Sequence, residues 1–398
     1  MSTTPLPQDA YAPMYSAWHA GDLQACEAHC TRLLALDAGD PNALLVLGVL
    51  CAQRGQNADA VVHFDKAAER APELAALHTN KGHALHRLGR WHEAIEAYGQ
   101  AFALGARHAN ALTHRANSLH HIGQHESALQ GYDEALALEP SLLEALIERS
   151  DLLIDMGRTE AAAEALAQAR AAGADAATMD YALAALGFGP VSAASPVSYV
   201  RELFDEYADR FDRHLVAHLD YRAPQHVADM VKRLGLPAGL DAVDLGCGTG
   251  LCGPLLRPFC RRLVGVDLSP KMLEQAEPRD MYDELVCEEI TAFALSRPAA
   301  FDLATAADVL IYFGDLGAPF AALQQMLRPG GWLVFTVELG SAEDVSLQRS
   351  RRFAHSQRHV EASAEASGLV FKHFETCVLR RERNQDVVGG LVALQRPA

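Results

Sequence analysis

Residues 243–250 read VDLGCGTG, a short apolar run that passes into glycine at every second position, Gly246, Gly248 and Gly250. Such a run reads as a strand entering a tight turn. Glycines there let the backbone approach a ligand closely, and the N-terminus of the helix that follows presents free N–H groups and the positive end of its dipole. A nucleoside triphosphate loop would need Lys and then Ser or Thr after its last glycine; Leu251-Cys252-Gly253 follows instead, which excludes it. A dinucleotide loop places its third glycine one position later, and Asp244 would turn a carboxylate toward a pyrophosphate, so that reading is disfavoured.

Outward from the loop, short apolar segments alternate with helical stretches: DAVDLG, RLVGVDLS, ELVCEEI, FDLATAADV and GGWLVFTVE. This alternation predicts an α/β domain, a mostly parallel sheet with helices on both faces. LVFKHFETCVLRR and VVGGLVALQ, separated by RNQD, predict a C-terminal antiparallel hairpin on the sheet edge. The second strand ends in Asp267, 23 residues after Asp244, where a carboxylate can accept both hydroxyls of a ribose. A ligand with ammonium and sulfonium groups can use the acid Asp244 beside a close backbone, and S-adenosylmethionine is such a ligand.

The segment Asp244-Leu245-Gly246-Cys247-Gly248-Thr249-Gly250 resembles the DxGxGxG motif of class I S-adenosylmethionine-dependent methyltransferases, and the likeness runs from about Tyr199 to the C-terminus. It implies a Rossmann-like fold in which Asp244, Gly246, Cys247, Gly248 and Gly250 surround the methyl donor. It also implies that Asp267 grips the ribose, that Leu268 and Met272 pack beside the adenine, and that Glu289 contacts the adenine amino group where the family usually has Asp. LFDEYADRFDRHL resembles the family's N-terminal lid, so Tyr207 and Phe211 are expected to close over the donor. The fourth strand should point Asp308 and Tyr312 into the cleft, and these two with His214 are the candidates to receive a proton from the acceptor. Ala306-Ala307-Asp308-Val309 stands where an NPPY-type motif would lie, which lowers DNA and glutamine as acceptors.

The first half is periodic. Gly21, Gly55, Gly89, Gly123 and Gly157 are spaced by 34 residues; a small residue follows each at five positions, and Phe64, Tyr98 and Tyr132 stand nine positions after the second, third and fourth. The pattern predicts helix pairs with glycine at the turn, a small residue at the crossing and an aromatic filling the seam between repeats. It resembles the tetratricopeptide repeat, or TPR, in about five units. The resemblance implies an all-α solenoid whose first helices line a groove for a protein or peptide partner, with Thr79, His83, His86, Thr113, Asn117 and His120 at equivalent polar positions. A solvated face explains the same residues, and no cysteine or carboxylate is fixed beside the histidines to suggest a metal site.

At 398 residues the chain exceeds one hydrophobic core, and the expected domains are helical repeats at 1–175, a helix and linker at 176–198, and the methyltransferase-like domain at 199–398. A net charge of -17 disfavours nucleic acid and anionic membranes as partners. No apolar run reaches the roughly 18 residues that suggest a membrane span, and eight cysteines without CxxC pairs fit a reducing compartment, so the expected location is the cytoplasm. The expected function is methyl transfer from S-adenosylmethionine to a protein side chain or small molecule, the repeats recruiting a partner. The alternative is a repeat adaptor whose second half is a non-catalytic platform.

Overall fold

The computed structural model describes residues 7–208, 211–212, 220–340, 344–382 and 385–398. The chain divides into two compact units, Met1–Ala174 and Asp175–Ala398. In the first, ten helices form five antiparallel pairs: α1 (Ala12–His19) and α2 (Leu23–Leu36), α3 (Pro41–Gln53) and α4 (Asn57–Ala68), α5 (Ala75–Arg87) and α6 (Trp91–Ala103), α7 (Ala109–His121) and α8 (His125–Leu138), α9 (Leu143–Asp155) and α10 (Thr159–Ala171). Each pair turns at one of the five periodic glycines, all with φ between 72° and 78°, a left-handed conformation that glycine adopts without cost at a helix end.

The repeat packs for the reason its sequence suggests. Cys26, Ala60, Ala94, Ala128 and Ala162 are fully buried where paired helices cross, and Phe64, Tyr98 and Tyr132 are fully buried between helices. Gly48 meets the Phe64 ring so closely that a Cβ there would stand 2.4 Å from a ring carbon. A buried phenol also needs a partner for its hydroxyl, and here the two tyrosines differ. Tyr132 donates to Asn117 Oδ1 at 2.5 Å, whereas the buried Tyr98 hydroxyl has no partner among the described residues.

The second unit begins with α11 (Ala176–Ala185), α12 (Val197–Tyr207) and α13 (Ala223–Arg233), then builds a nine-stranded sheet. Strands β1 (Leu240–Leu245), β2 (Cys260–Asp267), β3 (Glu284–Cys287), β4 (Phe301–Ala306) and β5 (Leu327–Leu339) are parallel, in the order β3-β2-β1-β4-β5. Two three-residue strands, β6 (Val345–Leu347) and β7 (Phe353–His355), continue one edge. The hairpin of β8 (Val370–Glu382) and β9 (Gln385–Gln395) joins through β9, antiparallel to β5. A one-turn helix at Gly253–Leu256 follows the glycine turn, and α14 (Pro270–Ala276), α15 (Ile290–Leu295), α16 (Gly317–Met326) and α17 (Gln357–Ala366) are the other α-helices among the described residues of the unit.

Alternate residues of β1 enter different cores. Val243 and Leu245 pack with Phe293, Phe301, Phe320 and Phe335, while Leu240 and Ala242 pack with Val227, Met230 and Leu303, as a strand covered on both faces must. No helix among the described residues is long and apolar enough to cross a membrane.

The segment expected as a helix and linker at 176–198 belongs to the second unit. Tyr181 on α11 donates its hydroxyl to the Arg351 carbonyl at 2.7 Å and accepts one from Ser195 Oγ at 2.7 Å. The Ser195 N–H donates to the Tyr312 carbonyl, and the Ala193 carbonyl accepts from the N–H groups of Gly314 and Asp315. Pro, Gly and Ser made this stretch look unattached, but its backbone groups pair with a loop more than a hundred residues away.

The unequal tyrosines give a stability test. Tyr98→Phe removes a buried hydroxyl that has no partner and should leave unfolding stability unchanged or raise it by up to about 1 kcal/mol. Tyr132→Phe strands Asn117 and should cost about 1–3 kcal/mol, measured by urea unfolding of the two variants in parallel.

Candidate functional site

The site starts where β1 ends. Gly246, Gly248 and Gly250 have φ of 62°, 54° and 86°, so the turn is built from left-handed residues. A Cβ on Gly246 would lie 2.3 Å from Val309 Cγ2, and one on Gly250 would press on Arg279 and Tyr282 at 3.1 Å. Val309 therefore forbids a larger residue at Gly246 before any ligand is considered, and at Gly250 a tight contact adds to the cost of its left-handed backbone. At Gly248 the open side instead faces the Phe211 ring at 3.8 Å.

Asp267, at the end of β2, holds this turn. The Gly248 N–H donates to its Oδ2 at 2.8 Å and the Ser269 N–H to its Oδ1 at 2.9 Å. Burial raises its pKa, against the pull of these N–H groups. Cys247 donates its N–H to the Val266 carbonyl, and burial with the nearby Asp267 and Asp244 pushes its thiol well above the ordinary range. It lines the turn as a small neutral side chain.

Asp244 lies beneath the loop, 1% exposed, and accepts hydroxyls from Tyr282 at 2.7 Å and Thr305 at 3.0 Å. Burial lifts its pKa to about 6, opposed by those two hydrogen bonds and reinforced by Asp267. Neither hydroxyl was anticipated, because Tyr282 precedes β3 in an irregular stretch and Thr305 reads as an ordinary strand residue.

Helix α12 and residues 211–212 bring aromatic rings to the turn. Tyr207 and Phe211 meet edge to face at 5.3 Å, Phe204 lies 6.1 Å from Phe211, and Phe204 meets Tyr312 edge-on at 5.8 Å. Two acids tie this segment down. Asp205 accepts from Ser269 Oγ at 2.5 Å; Asp212 accepts from Thr249 Oγ1 at 2.5 Å and from Arg279. Asp205 and Asp212 escaped the sequence reading, which followed aromatic spacing and gave no weight to the acids between the rings.

The remaining expected residues divide. Leu268 is half-buried, with its carbonyl accepting the Cys287 thiol at 3.6 Å, and Met272 is fully buried in α14. Glu289 caps α15, its two oxygens each accepting at 2.9 Å from the N–H groups of Thr291 and Ala292. Each oxygen thus holds one N–H of the helix end and, like those of Asp267, keeps a further acceptor direction. His214 lies outside the described residues.

Asp308, expected to face the cleft as a proton acceptor, is a non-glycine residue at φ 58°. Its N–H donates to Thr336 Oγ1, its Oδ1 accepts from that hydroxyl, and its Oδ2 accepts from Arg380 Nη1 at 2.5 Å. Arg380 is 4% exposed and also pairs with Glu338 and with Glu382, which in turn receives Arg352 at 2.8 Å. Burial opposes the Arg380 charge, but the three acids hold it protonated. Asp308 is therefore one end of a buried five-residue ion network. Tyr312 is half-buried, and burial raises its phenol so that it stays neutral.

In the repeat unit, Thr79 and Thr113 bond back to the carbonyls of Ala75 and Ala109, and Asn117 is buried against Tyr132. His83 meets His114 edge-on at 4.4 Å, His86 Nδ1 lies 2.9 Å from Ser118 Oγ, and His120 pairs with Asp155 at 3.1 Å. Burial lowers the His83 pKa to about 4, helped by His114 and Arg87. Among the described residues no group of three or more His, Cys, Asp or Glu is arranged to hold a metal.

Comparison with known proteins follows the same division. Residues 243–335 match the methyltransferase domain family, and residues 15–75 and 79–142 match the tetratricopeptide repeat. The bifunctional biotin biosynthesis protein BioCD of Bordetella avium is 32% identical over 143 residues, 35% of this chain and 30% of that protein. Nodulation protein S of Rhizobium tropici is 35% identical over 27% of this chain and 46% of its own length. The chain thus spans less than half the length of either relative. Human methyltransferase-like protein 27 is 31% identical over 173 residues, 42% of this chain and 68% of that protein. On these matches the chain belongs to the methyltransferase domain family, joined in sequence to tetratricopeptide repeats.

Proposed function

We propose that the second unit binds S-adenosylmethionine at the turn Gly246–Gly250 and at Asp267, and moves its methyl group to an acceptor over the carboxyl ends of β4 and β5. Asp267 carries this reading. Its oxygens accept the N–H groups of Gly248 and Ser269, with the Leu268 N–H close by, and a carboxylate offers more acceptor directions than these, beside a turn where a Cβ on Gly248 would meet the Phe211 ring at 3.8 Å. The sulfonium supplies an activated methyl group with a good leaving group, so the chain has to orient and desolvate the reactants. Phe204, Tyr207, Phe211 and Tyr312 keep water from the turn, and Asp205 and Asp212 hold that aromatic cover in place.

Asp308 we assign to positioning. Its oxygens are engaged by Thr336 and Arg380, so it fixes the turn that carries Tyr312. Tyr312 offers a neutral hydroxyl to the acceptor. The acceptor is a protein side chain or a small molecule, and the repeats recruit the partner or substrate. Labelled methyl transfer into a cell extract, fractionated into protein, nucleic acid and small molecules, identifies the class.

Saturating S-adenosylmethionine or S-adenosylhomocysteine, at 100 times its Kd, should raise the melting temperature of the full chain by about 5 °C or more. No shift with either compound sinks the catalytic reading and leaves the adaptor. Phe211→Ala should weaken donor binding about tenfold by calorimetry with the melting temperature of the free protein unchanged; equal affinity assigns the ring to packing.

Asp244 gives a pH test. Its free pKa of about 6 means that the carboxylate carries its charge above that value and a proton below it. A cationic donor nearby favours the charged form, so binding below pH 6 must release a proton. Donor affinity should therefore rise between pH 5 and about 7, with proton release seen as a buffer-dependent binding enthalpy. Asp244→Asn should flatten both; an unchanged pH profile in that variant removes Asp244 from the donor site.

A further inference from the structure

The 34-residue period repeats an ion pair as well as a fold. In one repeat Lys81 on α5 reaches Asp65 on α4 at 2.5 Å, and two repeats later Arg149 on α9 reaches Asp133 on α8 at 2.7 Å. The equivalent pair between them would join Arg115 on α7 to residue 99 on α6. Residue 99 is glycine. Arg115 has kept the charge, and the acid that its neighbours use is gone.

Arg115 finds no substitute. Its Nε is buried with no hydrogen-bond partner among the described residues, and no ion pair to it is formed there. Its guanidinium lies over the Phe102 ring at 5.9 Å from the centroid. Glu134 favours the Arg115 charge through space but gives its hydrogen bonds to Arg107 and to Gln130 Nε2. Burial opposes the Arg115 charge, which raises the value of a counter-charge placed beside it. Gly99 borders a half-open cavity of about 380 Å³ that Phe102, Arg107, Arg115, Gln130 and Glu134 also line. At Gly99 itself an added Cβ would meet nothing within 4 Å.

We propose that this cavity is a binding slot for an Asp or Glu side chain presented by a partner polypeptide, whose carboxylate takes the place that Asp65 and Asp133 fill in the flanking repeats. The flanking pairs set the chemistry. There the same position of the first helix is answered by a carboxylate borne on a polypeptide, and a guanidinium fork receives such a group with two N–H donors. The chain's charge of -17 disfavours a polyanion, whereas a single carboxylate needs only the local charge. By helical periodicity Arg115 lies on the opposite side of α7 from Thr113, Asn117 and His120, so the slot is separate from the groove expected of those residues.

The test follows the Arg115 Nε–H resonance of the full chain by NMR, with acetyl-Asp-amide as probe and acetyl-Asn-amide as its neutral match. The acid should shift the resonance at concentrations at least about tenfold lower than the amide. Gly99→Asp restores the periodic pair and should raise the melting temperature and abolish the response. Gly99→Ala gains more helix propensity than Gly99→Asp but no charge, and should keep the response. Equal response to both probes, no response to the acid, or an undiminished response in Gly99→Asp overturns the proposal. Inorganic phosphate displacing acetyl-Asp-amide at lower concentration overturns the choice of carboxylate, and acetate binding as tightly as acetyl-Asp-amide overturns the choice of a polypeptide.

Discussion

A single carboxylate at the end of β2 joins three pieces of the second unit. Asp267 takes one N–H from the turn after β1 and another from the start of α14, so the glycine turn, the second strand and the helix that follows it are fixed to one another. The other contacts of the site rest on that junction. Ser269, whose N–H is held by Asp267, uses its hydroxyl both to cap α14 and to hold Asp205 of α12. Thr249 within the turn holds Asp212. A carboxylate in this place organises the turn and the elements that meet there.

A second constraint acts across the cleft. Arg380, on a hairpin contributed by the last residues of the chain, is buried among Asp308, Glu338 and Glu382. A buried guanidinium with its acids in place is stable chiefly as a complete set, because removal of one member leaves an unpaired charge. The network thus binds the C-terminal hairpin to the ends of β4 and β5 and holds Asp308 in a left-handed conformation that it would not adopt alone. It explains why the residue at this conspicuous position serves the frame of the sheet ends.

The repeat unit shows what a period reveals and what it conceals. Recurrence every 34 residues marked the turns, the crossings and the seams, and each is occupied as the packing of helix pairs requires. The same recurrence made Thr79, Thr113, His83 and Asn117 look like equivalent rungs of a ladder. Their surroundings differ, because a hydroxyl on a helix can bond back to its own turn, and Asn117 has a tyrosine hydroxyl within reach where His83 has another histidine. At Gly99 a break in the recurrence carries more information than its continuation.

The sequence by itself determined the two-part architecture, the helix pairs, the strands β1 to β5 and the glycine turn with Asp267, since these follow from local period, glycine placement and strand-end chemistry. It could not determine β6 and β7, which are too short to show a pattern, or the role of residues 188–196, whose composition signals a linker while distant backbone groups claim it. Nor could it say where a carboxylate points. Asp244, Asp308 and Glu289 were all visible as acids near strand ends, but their partners Tyr282, Thr305, Arg380 and the start of α15 are set by packing across the sheet or by the path of the backbone. Hydrogen-bond satisfaction in a buried space depends on three-dimensional neighbours, and only the tertiary structure assigns those.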